Sequence, residues 1–216
     1  GMPKLSTVGE NAALQKSKNE LDKLGSQALN YYQEKAVTEG RGRFPGQTKY
    51  NVKVGEHTTE ADINEDLVGI NEQPPTFLQF SGPDGDDWVS VFGSANSDNP
   101  APYGSNLAAD NSTATNDWKT LFGDNTLSSP FQDGHYVYQV VAGKGHGSRA
   151  ESPILFVADI ENPSQIHAIL QPCGFPQICR LSGWGRVFSR PTSSFGSCLV
   201  LFLHGIVFDG QHFALQ

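Results

Sequence analysis

The sequence predicts an α+β fold in which one long N-terminal helix lies across an antiparallel sheet of four or more strands, with long acidic loops. Two observations predict it. Residues 10–37 carry an apolar stripe at helical spacing, and residues 135–158 contain the two strongest strand patterns of the chain. The stripe needs an apolar sheet face to cover it, and these strands supply one.

The predicted helix, residues 10–37, places its apolar side chains at steps of seven, three, four and four, which is one face of a helix: Leu14, Leu21, Leu24, Ala28 and Tyr32. Gly25 lies inside this stripe and disfavours an isolated helix by about 1 kcal/mol relative to Ala. We therefore expect another backbone to lie close to it. The helix is expected to stop at Gly40 and Gly42 and before the Phe44–Pro45 pair.

Short elements are predicted next along the chain. Residues 49–54 alternate apolar and polar side chains, which favours a short strand, and residues 61–68 favour a short helix. Residues 77–80 indicate a strand or an extended arm, and residues 88–92 a further strand.

The second half of the predicted domain contains the main hairpin. Residues 93–116 are rich in Asn, Ser, Ala, Pro and Gly and predict a long loop, which the apolar residues 118–122 anchor. Strands are predicted at 135–141 and 153–158, joined by a glycine-containing connection, and residues 163–170 are expected to pair with them.

The composition changes after residue 172. Residues 173–216 contain a single acidic residue and a nearly continuous apolar run, 199–208. All three cysteines of the chain lie there: Cys173, Cys179 and Cys198. We divide the chain into a domain at 1–172 and an apolar extension at 173–216, which could belong to the same domain. At most one internal disulfide can form, and its pairing stays open.

Charge and hydropathy exclude several classes of partner. The net charge of −8 disfavours binding to nucleic acid or to an anionic membrane surface. No signal peptide is visible, and no run of about 20 apolar residues is present to span a bilayer. Gly1 before Met2 is typical of a cleaved expression tag. If it is one, the natural start can be missing, and the sequence leaves open whether the natural N-terminus is truncated.

The end of the predicted helix carries a recognisable motif: a tyrosine pair, Tyr31–Tyr32, followed by Gly42–Arg43–Phe44–Pro45. This motif resembles the type IV pilin superfamily, and more narrowly the pseudopilins of type II secretion. Weaker likenesses follow in the family's order: Asp66–Asn71 and Pro74–Leu78 before the sheet, then Ser129–Phe131 and Asp133–Tyr138 at its hairpin. Together these cover roughly residues 10–160.

The resemblance implies a structural subunit without an active site or cofactor. Such subunits assemble with other pilin-like subunits through the N-terminal helix, into a filament of a bacterial secretion or pilus system. They carry a leader-peptidase site and a hydrophobic half-helix upstream of the part seen here. The implied location is the bacterial envelope, periplasmic or extracellular, with an inner-membrane anchor.

A secreted β-rich module that binds carbohydrate or protein is the alternative function. Trp88, Trp118 and Trp184 could form a sugar platform in it, although tryptophans this far apart are more often core anchors. An envelope hydrolase is a third hypothesis. His135, His146 and Asp159 with Ser148 could form a triad, but triads are defined by geometry and sequence order proves little.

Two other segments were considered for ligand chemistry. Asp84, Asp86 and Asp87 crowd into one turn and indicate a Ca²⁺ site, with a solvated acidic turn as the alternative. Residues 143–148 match neither a phosphate-binding loop nor a nucleophile elbow, which favours a flexible hairpin tip. Major pseudopilins bind Ca²⁺ near their C-terminal strands; the acids that would correspond, without a matching motif, are Asp124, Asp133 and Asp159.

Overall fold

A computed structural model describes the following parts of the chain: residues 4–68, 88–92, 111–125, 127–130, 136–147, 150–159, 167–172, 189–192 and 197–200. For residues 4–8, 189–192 and 197–200 it describes the backbone alone. The acidic turn with Asp84, Asp86 and Asp87, and the expected strand at 77–80, lie outside these residues.

The described residues form three helices and six strands: α1 (Lys4–Thr38), α2 (Glu60–Val68), β1 (Val89–Ser90), α3 (Ser112–Phe122), β2 (Tyr136–Val141), β3 (Ile154–Asp159), β4 (His167–Gln171), β5 (Ser189–Thr192) and β6 (Ser197–Val200). The strands make one sheet in the order β1-β2-β3-β4-β6-β5, and every neighbouring pair is antiparallel. The predicted α+β architecture is therefore confirmed.

The central strands are paired as the sequence predicts. β2 and β3 form a hairpin in which Tyr136 lies opposite Asp159 and Val141 opposite Ile154. β4 then pairs with β3, and the backbone of β6 pairs with β4, with Gln171 opposite Cys198. Two strands of the apolar extension thus continue the same sheet.

Helix α1 lies on the sheet with the predicted face. Its 35 residues correspond to a length of about 52 Å, and it contacts β3 and β4. Leu21, Leu24 and Ala28 are fully buried, and Leu14 and Tyr32 pack against the same core. Among the described residues, no helix is both long enough and apolar enough to cross a membrane.

The main core lies between α1, α3 and one face of the sheet. Alternate strand residues point into it, including Tyr138, Val140, Leu155 and Val157, all buried. The indole of Trp118 in α3 packs edge-on against Tyr138, with ring centroids 5.3 Å apart. Nearly every residue of β2 and β3 is buried, which is the physical reason that continuous runs of β-branched and aromatic residues predicted these strands correctly.

Two local predictions were wrong. Residues 49–54 are mostly turns, and only Val54 pairs with the sheet, opposite Val140. Of the expected loop 93–116, residues 93–110 lie outside the described residues, whereas residues 112–116 form the start of α3, whose first turn is capped by Asn111. The apolar anchor 118–122 is the second half of the same helix and packs in the core. The Asn111 side chain accepts a hydrogen bond from the backbone N–H of Ala114, which stabilises a helix start that polar composition conceals.

Candidate functional site at the end of α1

The end of α1 is held by a buried turn, residues 39–47, which we call the exit turn. Arg43 is its centre. Its Nε and Nη2 donate to both carboxylate oxygens of Glu39, at 2.7 and 2.9 Å. Its Nη1 donates to the hydroxyl of Tyr31 and to the carbonyl of Gln47, both at 2.7 Å. One guanidinium therefore joins the last turns of α1 to the chain that leaves it.

The backbone of the exit turn is also bonded throughout. The side chain of Gln47, fully buried, accepts from the N–H of Phe44 at 2.8 Å and donates to the carbonyls of Tyr50 and Val52. The two bonds that Gln47 donates hold residues 50–52 in turns. They explain why these residues do not form the expected strand.

Two distant elements close on the exit turn. The N–H of Gly46 donates to Asp117 of α3 at 2.8 Å, and the hydroxyl of Tyr138 in β2 donates to the carbonyl of Pro45 at 2.9 Å. Gly46 has a φ of 84°, and a Cβ there would lie 2.3 Å from the Tyr138 hydroxyl. Glycine is therefore required at this position both for its conformation and for the close approach.

Burial and charge perturb the ionisable groups of this site. Burial, followed by the charge of Asp117, raises the pKa of Tyr31 to about 12. Burial also raises the pKa of Tyr138 well above its usual value. The hydrogen bonds from Arg43 lower the pKa of Glu39. At neutral pH both tyrosines are therefore hydroxyl donors or acceptors, and Arg43 faces an ionised carboxylate.

A cleft of about 210 Å³ lies beside the exit turn, between the end of α1 and the β2–β3 hairpin. Its polar lining includes Tyr32, Arg41, Tyr50, Glu151 and Ser152. The Arg41 guanidinium lies 4.9 Å above the ring of Tyr50, and its Nη2 donates to the carbonyl of Gly147 at 2.7 Å. Tyr32 donates to the Ser152 hydroxyl at 3.1 Å.

The described part of the hairpin loop, residues 143–147, is docked on this cleft, while the flexibility expected for residues 143–148 stays a prediction. The N–H of Gly143 donates to the carbonyl of Tyr50 at 2.8 Å, and the Tyr50 hydroxyl donates to the carbonyl of Gly145 at 2.5 Å. The loop presents carbonyls to Arg41 and Tyr50. That polarity is opposite to the N–H groups with which a phosphate loop binds its ligand.

Two polar clusters elsewhere were not recognised from the sequence. His57 Nε2 lies 2.5 Å from Asp66 in α2, and the same carboxylate oxygen accepts from the indole of Trp88 at 3.0 Å. The cluster ties α2 to the start of β1. The three residues are up to 31 positions apart, so no local pattern marks the cluster.

The second cluster lies under α1. The fully buried Asp159 accepts from Ser17 of α1 at 2.9 Å and from Ser129 at 2.7 Å. Ser17 also lies 3.2 Å from the hydroxyl of Tyr136. This cluster bonds the helix to the far end of the hairpin, so the helix is fixed on the sheet at Ser17 as well as at its C-terminal end.

The proposed hydrolase triad is not assembled by the residues that are described. His146 is exposed in the hairpin loop, whereas Asp159 is buried at the opposite end of β3. The paired length of β2 and β3, about 17 Å, separates these ends. His135 and Ser148 lie outside the described residues.

The tryptophan platform is likewise not formed by two of its three members. Trp88 and Trp118 are fully buried, so neither presents its ring to a sugar. Their interpretation as core anchors is confirmed. Trp184 lies outside the described residues.

The calcium prediction stays a prediction. Asp84, Asp86, Asp87 and Asp133 are outside the described residues, Asp124 is exposed after α3, and Asp159 is engaged by Ser17 and Ser129. Within the described part of the chain, no group of three or more His, Cys, Asp or Glu is arranged to hold a metal ion. A rise in melting temperature with millimolar Ca²⁺ and not with Mg²⁺ would test the acidic turn.

Comparison with known proteins gives no relative. No protein-family model matches this chain, and no curated protein and no solved structure matches it either.

Proposed function

We propose that this chain is the globular part of a pilin-like or pseudopilin-like structural subunit, which assembles with other such subunits in a bacterial secretion or pilus filament. One observation carries the proposal. The motif Tyr31–Tyr32 with Gly42–Arg43–Phe44–Pro45 forms the joint that fixes a long helix along an antiparallel sheet. A subunit whose helix packs inside a filament needs such a joint, because force on the helix must be transmitted to the globular part.

The two faces of α1 support the same proposal. One face is buried against the sheet, whereas the opposite face is exposed along the helix at steps of three and four: Ala12, Lys16, Asn19, Lys23, Ser26, Asn30, Glu34 and Val37. A helix that is covered on one face alone can pack against neighbouring subunits with the other. In this proposal a hydrophobic segment upstream continues the helix and anchors the natural protein in the inner membrane.

Cysteine cross-linking in the full-length natural protein tests this assignment. Cys173, Cys179 and Cys198 are first changed to Ser, and single cysteines are then placed on the exposed face of α1 by Asn19→Cys or Ser26→Cys. With one thiol per chain, we expect oxidation in intact cells to give disulfide-linked dimers, the smallest cross-linked oligomers, through these positions. Asp124→Cys, on the exposed end of α3, is the matched control and should remain uncross-linked.

Two results contradict the proposal. One is the absence of oligomers from every position on the exposed face of α1 while the protein is folded and present in the envelope. The other is equal cross-linking from Asp124→Cys, which would indicate random collision. A monomer that is retained on a glycan or protein column would instead favour the secreted binding module.

A further inference from the structure

We propose that the cleft beside the exit turn binds one carboxylate group, held by the guanidinium of Arg41 and the hydroxyl of Ser152. This inference is independent of filament assembly. It concerns the side of the exit turn that faces the β2–β3 hairpin, where α1 ends and the docked loop begins.

Arg41 is already held in place before any ligand arrives. Its guanidinium is stacked 4.9 Å above Tyr50, and one N–H is used by the carbonyl of Gly147. An arginine has five N–H donors, and no second acceptor for Arg41 is found among the described residues. Because the side chain is immobilised, a bound anion does not have to order it, which removes part of the entropy that opposes binding.

Ser152 supplies a second donor on the same cleft. Its oxygen accepts the hydrogen bond from Tyr32 at 3.1 Å, so its own hydroxyl proton points elsewhere. Burial raises the pKa of Tyr32, which keeps that phenol protonated as the donor. Within the described part of the chain the Ser152 proton has no acceptor. A carboxylate could accept from Arg41 and from Ser152 at once.

Charge and volume select the ligand class. Glu151 also lines the cleft, and its charge repels a dianion such as phosphate more strongly than a monoanion. The volume of about 210 Å³ is about seven times the share of one liquid water molecule, and it lies below the ~300 Å³ at which drug-sized ligand pockets begin. A single carboxylate on a short aliphatic group fits both limits.

Titration of the ¹⁵N-labelled chain with sodium propionate tests the site by NMR. We expect saturable shifts of the Arg41 Nε–H and of the Gly145 and Gly147 amides, with a Kd on the order of millimolar. Propionamide, the uncharged analogue, and inorganic phosphate should give no saturable shift. Arg41→Lys keeps the charge but loses the planar fork, and Ser152→Ala removes the hydroxyl donor. Each of these two variants should weaken propionate binding at least several-fold.

Lys49→Ala is the matched control, because Lys49 is an exposed cation that does not line the cleft. We expect its propionate binding to be unchanged. The amide spectrum of each variant shows whether the fold is kept. The proposal is overturned if propionate gives no saturable shift, if phosphate binds as well as propionate, or if the folded Arg41→Lys variant binds like the wild type.

Three short peptides identify the source of the carboxylate. One ends in a free carboxylate, the second is amidated at its C-terminus, and the third is amidated with an internal Glu. Binding of the first peptide alone identifies a chain terminus, and binding of the third identifies an acidic side chain. Propionate binding without any peptide binding identifies a small free acid.

Discussion

Among the described side chains of the exit turn, Arg43 makes the largest number of hydrogen bonds. It bonds two oxygens of Glu39, the hydroxyl of Tyr31 and the carbonyl of Gln47 with one rigid fork. Its side chain is only 16% exposed, whereas that of Glu39 is 42% exposed. The ion pair is therefore partly screened, and the bonds to Tyr31 and Gln47 contribute more of the stability.

We expect Arg43→Lys to lower the free energy of unfolding by about 1–3 kcal/mol, because a lysine cannot satisfy Tyr31, Gln47 and Glu39 together. Urea denaturation measures the loss. Lys53→Ala, which removes an exposed ion pair with Glu56, is the control and should change stability by about 0–1 kcal/mol. Equal effects of the two substitutions would contradict the role assigned to Arg43.

The raised pKa of Tyr31 predicts that the fold loses stability at alkaline pH. Its pKa is raised to about 12 from an ordinary value of 10.0, chiefly by burial. The unfolded chain therefore releases this proton before the folded chain does, so the stability is complete below pH 10 and is lost as the pH rises through about 12. In Tyr31→Phe the decline between these values should be shallower. An unchanged alkaline slope in urea titrations would show that Tyr31 is not buried as described.

At the scale of elements, the parts of the fold predicted correctly are those whose own side chains determine them. The stripe of Leu21, Leu24 and Ala28 identified α1, and the apolar, β-branched and aromatic runs identified β2 and β3, which are buried almost throughout. Helix α3 was missed because its first turn is Ser, Thr and Ala, which resembles a loop in composition. Asn111 as an N-cap, and the spacing of Ala114 and Trp118, were the signals that could have found it.

The site was predictable only in part for a similar reason. Gly42 and the Phe44–Pro45 pair correctly indicated the end of α1. The bonds from Gly46 to Asp117 and from Tyr138 to Pro45 join residues 71 and 93 positions apart, and such contacts leave no spacing pattern in a single sequence. The cleft was missed because Arg41 and Ser152 are 111 positions apart and line one cleft only in the folded chain.

Packing of α1 on the sheet is tested by Leu21→Asp. Leu21 is fully buried in the core, so a carboxylate there should destabilise the fold by several kcal/mol, about 3 or more, since it has no counter-charge in an apolar contact. Ser26→Asp introduces the same side chain on the exposed face and should change stability by about 0.5 kcal/mol or less. Thermal and urea unfolding of both variants give the comparison, and similar losses would contradict the burial of this face.

At the scale of the whole molecule, the described polar clusters serve the architecture. One fixes the exit turn, one ties α2 to β1, and one holds the N-terminal half of α1 on the hairpin through Ser17 and Asp159. A subunit that transmits force needs this rigidity between helix and sheet. Catalysis would instead need a nucleophile, a base and an oxyanion donor converging in one cleft.

We therefore expect no turnover of generic ester, phosphate or glycoside substrates by the purified chain. Chromogenic substrates of the three classes provide the measurement, with His146→Ala as the matched variant. Hydrolysis that is abolished in this variant, or in His135→Ala, would contradict the structural assignment.

The DNA sequence immediately upstream of the part of the natural gene that encodes this chain tests the central claim most directly. The account predicts a short basic leader, a Gly at the cleavage point, and about 20 apolar residues interrupted near their start by a Glu and continuous with α1. Two results would contradict the proposal that α1 is the C-terminal half of a filament-forming helix. One is an ordinary secretory signal with a small-residue cleavage site, and the other is a start codon at Met2 with nothing encoded before it.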